Sequence, residues 1–238
     1  MFEVNEKHDI TVVSNIGPQK RSALIVDDFY KNPYEVRKYA IASKKHQKHS
    51  EPQLMAAMPG ARVWEEDKRI RQNLKPFFDG IRNNKGLWKS KRFIEPGSWE
   101  TSWDRAAFIC NIMRANNRDP GGGIPHIDSF NVQLGVVIYL NVPPECQGGT
   151  RIYANEGTVN PAIQGMKNDV NMVNELAAQR WKRDYWTLGH PNSSWEVEVP
   201  FEMKWNRCII YEADNLHGIW HEPDMFTDCD RIAQVLFL

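Results

Sequence analysis

The chain has 238 residues, 41% of them hydrophobic, and its 30 Lys and Arg balance 30 Asp and Glu to a formal net charge of +0. That length suits one large domain, and the charge balance excludes the broad basic excess of a general nucleic-acid or anionic-membrane binder. No apolar run approaches the roughly 20 residues needed to cross a bilayer, and MFEVNEKHDI lacks a basic-then-apolar signal pattern, so a soluble, cytoplasmic protein is expected.

In chain order, Ile10 to Val13 and Ala23 to Val26 read as short strands joined by a turn at Gly17-Pro18. Asn32 is a helix N-cap candidate, with Pro33 in the first helical position and a helix running to about Ser43. The basic run Lys44 to Ser50 reads as the solvated end of that helix, its charges suiting a helix C-terminus. His46 and His49 have no acidic or sulfur partner nearby to complete a metal site. Met58-Pro59-Gly60 is a turn, and Glu65 to Ile81 a second helix with Ile70, Leu74, Phe77 and Phe78 on one side, bent or interrupted at Pro76. Lys89 to Trp103 reads as extended, and Ala107 to Met113 as a buried strand.

Further on, Pro161 to Trp181 has apolar residues at three- and four-residue steps, an amphipathic helix inserted into strand sequence. Trp195 to Val199, Asn206 to Tyr211 and Ile232 to Leu238 read as strands. Cys110, Cys146, Cys208 and Cys229 form no Cys-x-x-Cys pair and read as free thiols in a reducing compartment.

The chemistry concentrates between Gly121 and Tyr153. A glycine turn leads to His126 and Asp128, two residues apart, which in extended chain project to the same side. An imidazole and a carboxylate, joined by a second histidine, suit divalent iron and leave coordination positions for substrate and oxygen. His217 or His221 can supply that histidine, and Arg231 opens the last strand. Plainer readings stand beside these: a surface hydrogen-bonded pair for His126 and Asp128, an ion pair with Asp228 or Asp230 for Arg231, and core packing for Tyr139. Gly148-Gly149 reads as a structural turn, because no helix start follows to cradle a phosphate.

The ordered set His126-Ile127-Asp128, Tyr139-Leu140-Asn141, Gly148-Gly149-Thr150, a distal histidine and Arg231 resembles the iron(II)- and 2-oxoglutarate-dependent dioxygenases, in their prolyl-hydroxylase-like branch. VDDFYKNPYEVRKYA and Met58 to Arg62 also resemble a less characterised bacterial and phage subgroup.

The resemblance implies a mainly β (α+β) double-stranded β-helix, a cupin-like jelly roll, as one domain over 1–238. Residues 1–105 would buttress the barrel with strands and helices, 106–238 would carry the iron site, and a helix would be inserted near 161–183. It also implies Fe(II) on His126, Asp128 and His217, with 2-oxoglutarate and O2 as co-substrates. Arg231 and Tyr139 would hold the far carboxylate of 2-oxoglutarate. His217 is preferred to His221 because Asn215-Leu216-His217 resembles the subgroup's pattern, which makes Glu222 to Asp230 a lengthened hairpin loop.

The implied reaction hydroxylates an amino acid or peptide residue and releases succinate and CO2, with no nucleic-acid or membrane partner. Arg62, Arg114, Arg118 and Arg151 are expected near the mouth, where they would favour a carboxylate-bearing substrate. The alternative is a non-catalytic or 2-oxoglutarate-independent metal-binding jelly-roll protein.

Overall fold

The computed structural model describes residues 1–17, 19–43, 47–48, 61–65, 67–84, 86–89, 106–112, 125–128, 132–153, 197–220, 222 and 224–238. Within them the strands are β1 (Asp9–Ile16), β2 (Arg21–Asp27), β3 (Gln47–Lys48), β4 (Ala61–Glu65), β5 (Ala106–Ile112) and β6 (Leu134–Tyr139). They continue with β7 (Gly149–Tyr153), β8 (Val197–Glu202), β9 (Cys208–Glu212), β10 (His217–Trp220) and β11 (Asp230–Phe237). Two helices accompany them, α1 (Pro33–Ala42) and α2 (Lys68–Arg82).

The strands form two antiparallel sheets. The larger has eight strands in the order β1-β2-β9-β6-β11-β5-β4-β3, and the smaller three in the order β10-β7-β8. β6 and β9 are buried at every position, so alternation along them assigns residues to two different interiors rather than to core and solvent.

Leu134, Val136, Ile138, Cys208, Ile210, Ile232 and Leu236 face one interior, with Val36 and Ala40 of α1 and Ile70, Leu74 and Phe78 of α2. The three α2 residues recur every four positions and form one stripe; each such side chain stabilises by roughly 1.5–3 kcal/mol when fully buried. Val137, Tyr139, Ile209, Tyr211 and Ala233 face the other interior, against Ile152 of β7 and Phe201 of β8. This second, inter-sheet space receives the polar side chains discussed below.

Several expectations are corrected. The second helix starts at Lys68, not Glu65, because Glu65 still pairs with Ala106 in the sheet and Asp67 caps the helix by accepting from the Arg69 N–H at 2.9 Å. α2 also continues through Pro76 to Arg82. The basic run after α1 is not a helix end: Ser43 is extended, and Gln47 and Lys48 pair with Arg62 and Ala61. Pro33 opens α1 as read, although the Asn32 side chain makes no cap bond. The hairpin expected over Glu222 to Asp230 is not made, since β10 and β11 belong to different sheets. His46, His49, Met58-Pro59-Gly60, most of the Lys89 to Trp103 stretch and the 161–183 helix lie outside the described residues.

Gly148 and Gly149 carry φ of +61° and +152°, and a Cβ on Gly149 would lie 1.9 Å from the Phe201 carbonyl oxygen. The turn is therefore fixed by backbone packing between β7 and β8. Gly149→Ala should lower unfolding free energy by more than about 2 kcal/mol. Gly80, inside α2 with open space around its Cα, should instead gain about 0.5–1 kcal/mol as alanine. Urea denaturation of both variants checks the pair.

At the base of the sheet Arg207 binds both Asp27 carboxylate oxygens at 2.6 and 3.0 Å. The Arg207 hydrogen bond holds the Asp27 carboxyl below its ordinary value of 3.8. A lowered pKa contributes stability above the unfolded value and loses it as pH falls through the folded one. Asp27→Asn should cost roughly 1 kcal/mol at pH 7, and the difference from the parent should shrink as pH falls below the ordinary carboxylate value of 3.8.

Candidate metal centre

The centre is made where the chain segment 125–128 runs beside the residues leading into β10. The His126 N–H donates to the His217 carbonyl at 2.8 Å and the His217 N–H returns to the His126 carbonyl at 2.9 Å. The two histidines are therefore a directly opposed antiparallel pair, whose side chains stand on the same side; their ring centroids are 4.5 Å apart. Two residues on, Asp128 joins that side, its N–H anchored on the Ala213 carbonyl at 2.9 Å.

One ligand atom from each of His126, Asp128 and His217 lies within 4.8 Å of the others, and Asp128 and His217 are buried. His217 Nδ1–H donates to the Asn215 carbonyl at 2.9 Å, which leaves Nε2 as the lone-pair nitrogen, 3.7 Å from Asp128 Oδ2. Fixing one ring nitrogen on a carbonyl so that the other can ligate is how metal-binding histidines are oriented. The described residues can hold a divalent cation here, and their two-nitrogen, one-carboxylate set suits iron(II). His221 lies outside the described residues.

Close approach at this point depends on Gly135 of β6. A Cβ there would lie 2.6 Å from the Tyr211 ring and 2.9 Å from Asp128 Oδ2. Tyr211 fills the space the missing side chain leaves and packs against His217, the rings tilted at 53° with centroids 4.6 Å apart. Burial, then the neighbouring Asp128 charge, pushes its hydroxyl well above the ordinary value of 10.0.

Further along the same face stands Arg231, 1% exposed. No hydrogen bond or ion pair joins its guanidinium to any described residue, and its Nε is a buried donor with no acceptor. Asp228 and Asp230, the acids weighed as partners, do not pair with it. Its neighbour is the Tyr139 ring, 5.7 Å from Cζ to centroid. Burial lowers the Arg231 pKa and raises that of Tyr139 to about 12, with Arg231 pulling it partly back. The Tyr139 hydroxyl shares a 2.7 Å hydrogen bond with Thr150 Oγ1, which ties the two sheets together.

The arginines expected near the mouth divide. Arg151 bonds Glu222 at 2.9 Å and lies over the Trp220 ring, on the opposite face of β7 from Thr150 and Ile152. Arg62 is buried and sits in register with Ile109, opposite Ala233 in turn. That places it on the inter-sheet side, where burial lowers its pKa to about 10. Arg114 and Arg118 lie outside the described residues. Tyr211, Thr150 and Gly135 carry parts of the site that sequence reasoning missed. The alternation of Ile209 and Tyr211 was the available signal for the first, and Gly148-Gly149-Thr150 was read as a turn and a family motif, with no contact assigned to Thr150.

Comparison with known proteins assigns a family. The description "Family of unknown function (DUF6445)" matches residues 7–227. The chain belongs to this family. No curated protein matches it. Among solved structures, a Pseudomonas putida prolyl-4-hydroxylase is similar at 11% identity and TM-score 0.45, covering 97% of this chain and 92% of that one. An N-substituted L-amino acid dioxygenase from Burkholderia ambifaria AMMD is similar at 10% identity and TM-score 0.40, covering 97% and 93%. The non-heme alpha ketoglutarate dependent epimerase SnoN from nogalamycin biosynthesis is similar at 8% identity and TM-score 0.39, covering 97% and 77%.

No helix among the described residues is long and apolar enough to cross a membrane.

Gly135→Ala should leave a folded protein whose affinity for iron(II) or cobalt(II) falls at least about tenfold, the range seen when groups supporting a metal ligand are disturbed. Equilibrium dialysis against cobalt(II) at matched circular dichroism checks it.

Proposed function

We propose that this protein is an iron(II)- and 2-oxoglutarate-dependent dioxygenase on a double-stranded β-helix, one that hydroxylates an amino acid or a peptide residue. One observation carries the reading: a two-histidine, one-carboxylate cluster and a buried guanidinium with no partner among the described residues stand in the same inter-sheet space. A buried, unpaired cation costs several kcal/mol, so such a residue makes physical sense as one half of an ion pair completed by a bound anion. A dicarboxylate that chelates the metal through its 2-oxo acid end and presents its other carboxylate to Arg231 meets both requirements. Arginine's forked donors suit that carboxylate.

When bound, iron(II) with 2-oxoglutarate and O2 supplies the oxidation, releasing succinate and CO2 and hydroxylating a C–H bond. The chain's own residues do the rest. His126, Asp128 and His217 hold the ion, and the Asn215 carbonyl keeps the His217 ring turned towards it. Arg231 binds the far carboxylate, and Tyr139, held by Thr150, walls that pocket. Tyr211 packs beside His217. The amino-acid or peptide preference rests on the Tyr139-Leu140-Asn141 and Gly148-Gly149-Thr150 motifs.

Anaerobic titration with iron(II) and 2-oxoglutarate should give the visible charge-transfer band of the chelate in the parent and in His221→Ala, and no band in His217→Ala. A band lost in His221→Ala but kept in His217→Ala would reverse the ligand assignment. Arg231→Ala should retain the metal but bind 2-oxoglutarate at least about tenfold more weakly, a loss of about 1.4 kcal/mol; undiminished turnover in that variant would remove 2-oxoglutarate from the account.

A further inference from the structure

The Arg231 guanidinium makes no hydrogen bond to a described residue, so beyond the Tyr139 ring beside it its aim depends on how its backbone is held. The β6–β11 pairing runs from Phe237 opposite Gly135 to Ala233 opposite Tyr139. Just beyond, the ladder is half made. The Leu140 N–H still donates to the Ile232 carbonyl at 3.0 Å, but the Leu140 carbonyl accepts from Arg37 Nη1 at 2.7 Å instead of from Ile232. β6 is leaving the sheet at the point where β11 must still hold Arg231.

Asn141 completes the ladder with its side chain. Its Oδ1 accepts the Ile232 N–H at 2.7 Å, and its Nδ2 donates to the Asp230 carbonyl at 2.7 Å. These are the two backbone groups that flank Arg231 on the β6 side. The carboxamide thus stands in for a peptide group of a neighbouring strand and spans the one residue between them. It is fully buried, and its own carbonyl accepts from Cys146 Sγ at 3.0 Å, so the bracket is itself anchored. No other side-chain type of this size offers one donor and one acceptor in this fork: aspartate has no donor and leucine has neither.

We propose that Asn141 is the positioning residue for Arg231, and that through it the protein selects a 2-oxo acid bearing a second carboxylate over one without. The inference rests on the functional reading above and adds how the cation is held in place. Losing the bracket leaves two buried backbone groups unsatisfied and leaves the start of β11 held on the β5 side alone, while the metal ligands, which sit on other segments, are untouched.

The test is anaerobic binding of 2-oxoglutarate and of pyruvate, which lacks the far carboxylate, to the iron(II)-loaded full chain. Parent, Asn141→Ala, Asn141→Asp and the Asn141→Ala/Arg231→Ala pair are compared with Arg231→Ala. Asn141→Ala should weaken 2-oxoglutarate binding about 10- to 100-fold, as loss of a supporting partner does, and leave pyruvate binding within about twofold, since the group it acts through never meets pyruvate. Asn141→Asp, the same shape without the donor, should fall the same way and covers the case in which the alanine variant does not fold. Adding Asn141→Ala to Arg231→Ala should cost nothing further.

A folded Asn141→Asp with parental 2-oxoglutarate affinity would overturn the inference, as would equal losses for the two acids. A parent that binds iron(II) but neither acid would overturn the functional reading, and this inference with it.

Discussion

The central strands of the large sheet are buried on both faces, and every polar group placed there has to be satisfied inside the molecule or by something the molecule binds. On the helix side the rule is met mostly with apolar residues, and with the Tyr30 hydroxyl donating to Gln234 Oε1 at 2.5 Å. On the inter-sheet side it is met with Tyr139 on Thr150 and Asn141 on the backbone of β11. Arg231 is the conspicuous residue for which no described partner exists. In the proposed function, a bound anion completes that cation.

The site is assembled from segments far apart in sequence, and two backbone devices bring them together. The exchange of N–H and carbonyl between His126 and His217 places both imidazoles on one side without any side-chain contact having to do so. Gly135 then removes the Cβ that would separate β6 from Asp128 and Tyr211. Both devices act on register, so small backbone shifts in β6, β9 or β10 would reach the candidate ligands directly.

Much of the fold was legible because periodicity carried it. The α2 stripe of Ile70, Leu74 and Phe78, the apolar runs of β9 and β11, and the Pro33 start of α1 all match the sequence reading. β3, β4 and β10 were not legible. They are short, and β4 carries Arg62 between Ala61 and Val63, a pattern that makes sense only when both faces of the sheet are known to be covered. The start of α2 was misplaced for the same reason, Glu65 being a good helix former taken by a strand ladder.

At the site, His126 and Asp128 were visible from their spacing and His217 from a motif, and the structure brings the three together. Tyr211, Gly135 and the bracketing geometry of Asn141 were not visible, because each depends on which strand lies opposite, and one chain read alone does not contain that information.

The most direct test of the account is a crystal structure of the protein with manganese(II) and 2-oxoglutarate, with the metal located by its anomalous scattering. The account predicts one strong peak bounded by His126, Asp128 and His217, and the far carboxylate of the dicarboxylate forked on Arg231. A metal held elsewhere, or an Arg231 already paired with an acid of the chain while the dicarboxylate lies in solvent, would contradict it.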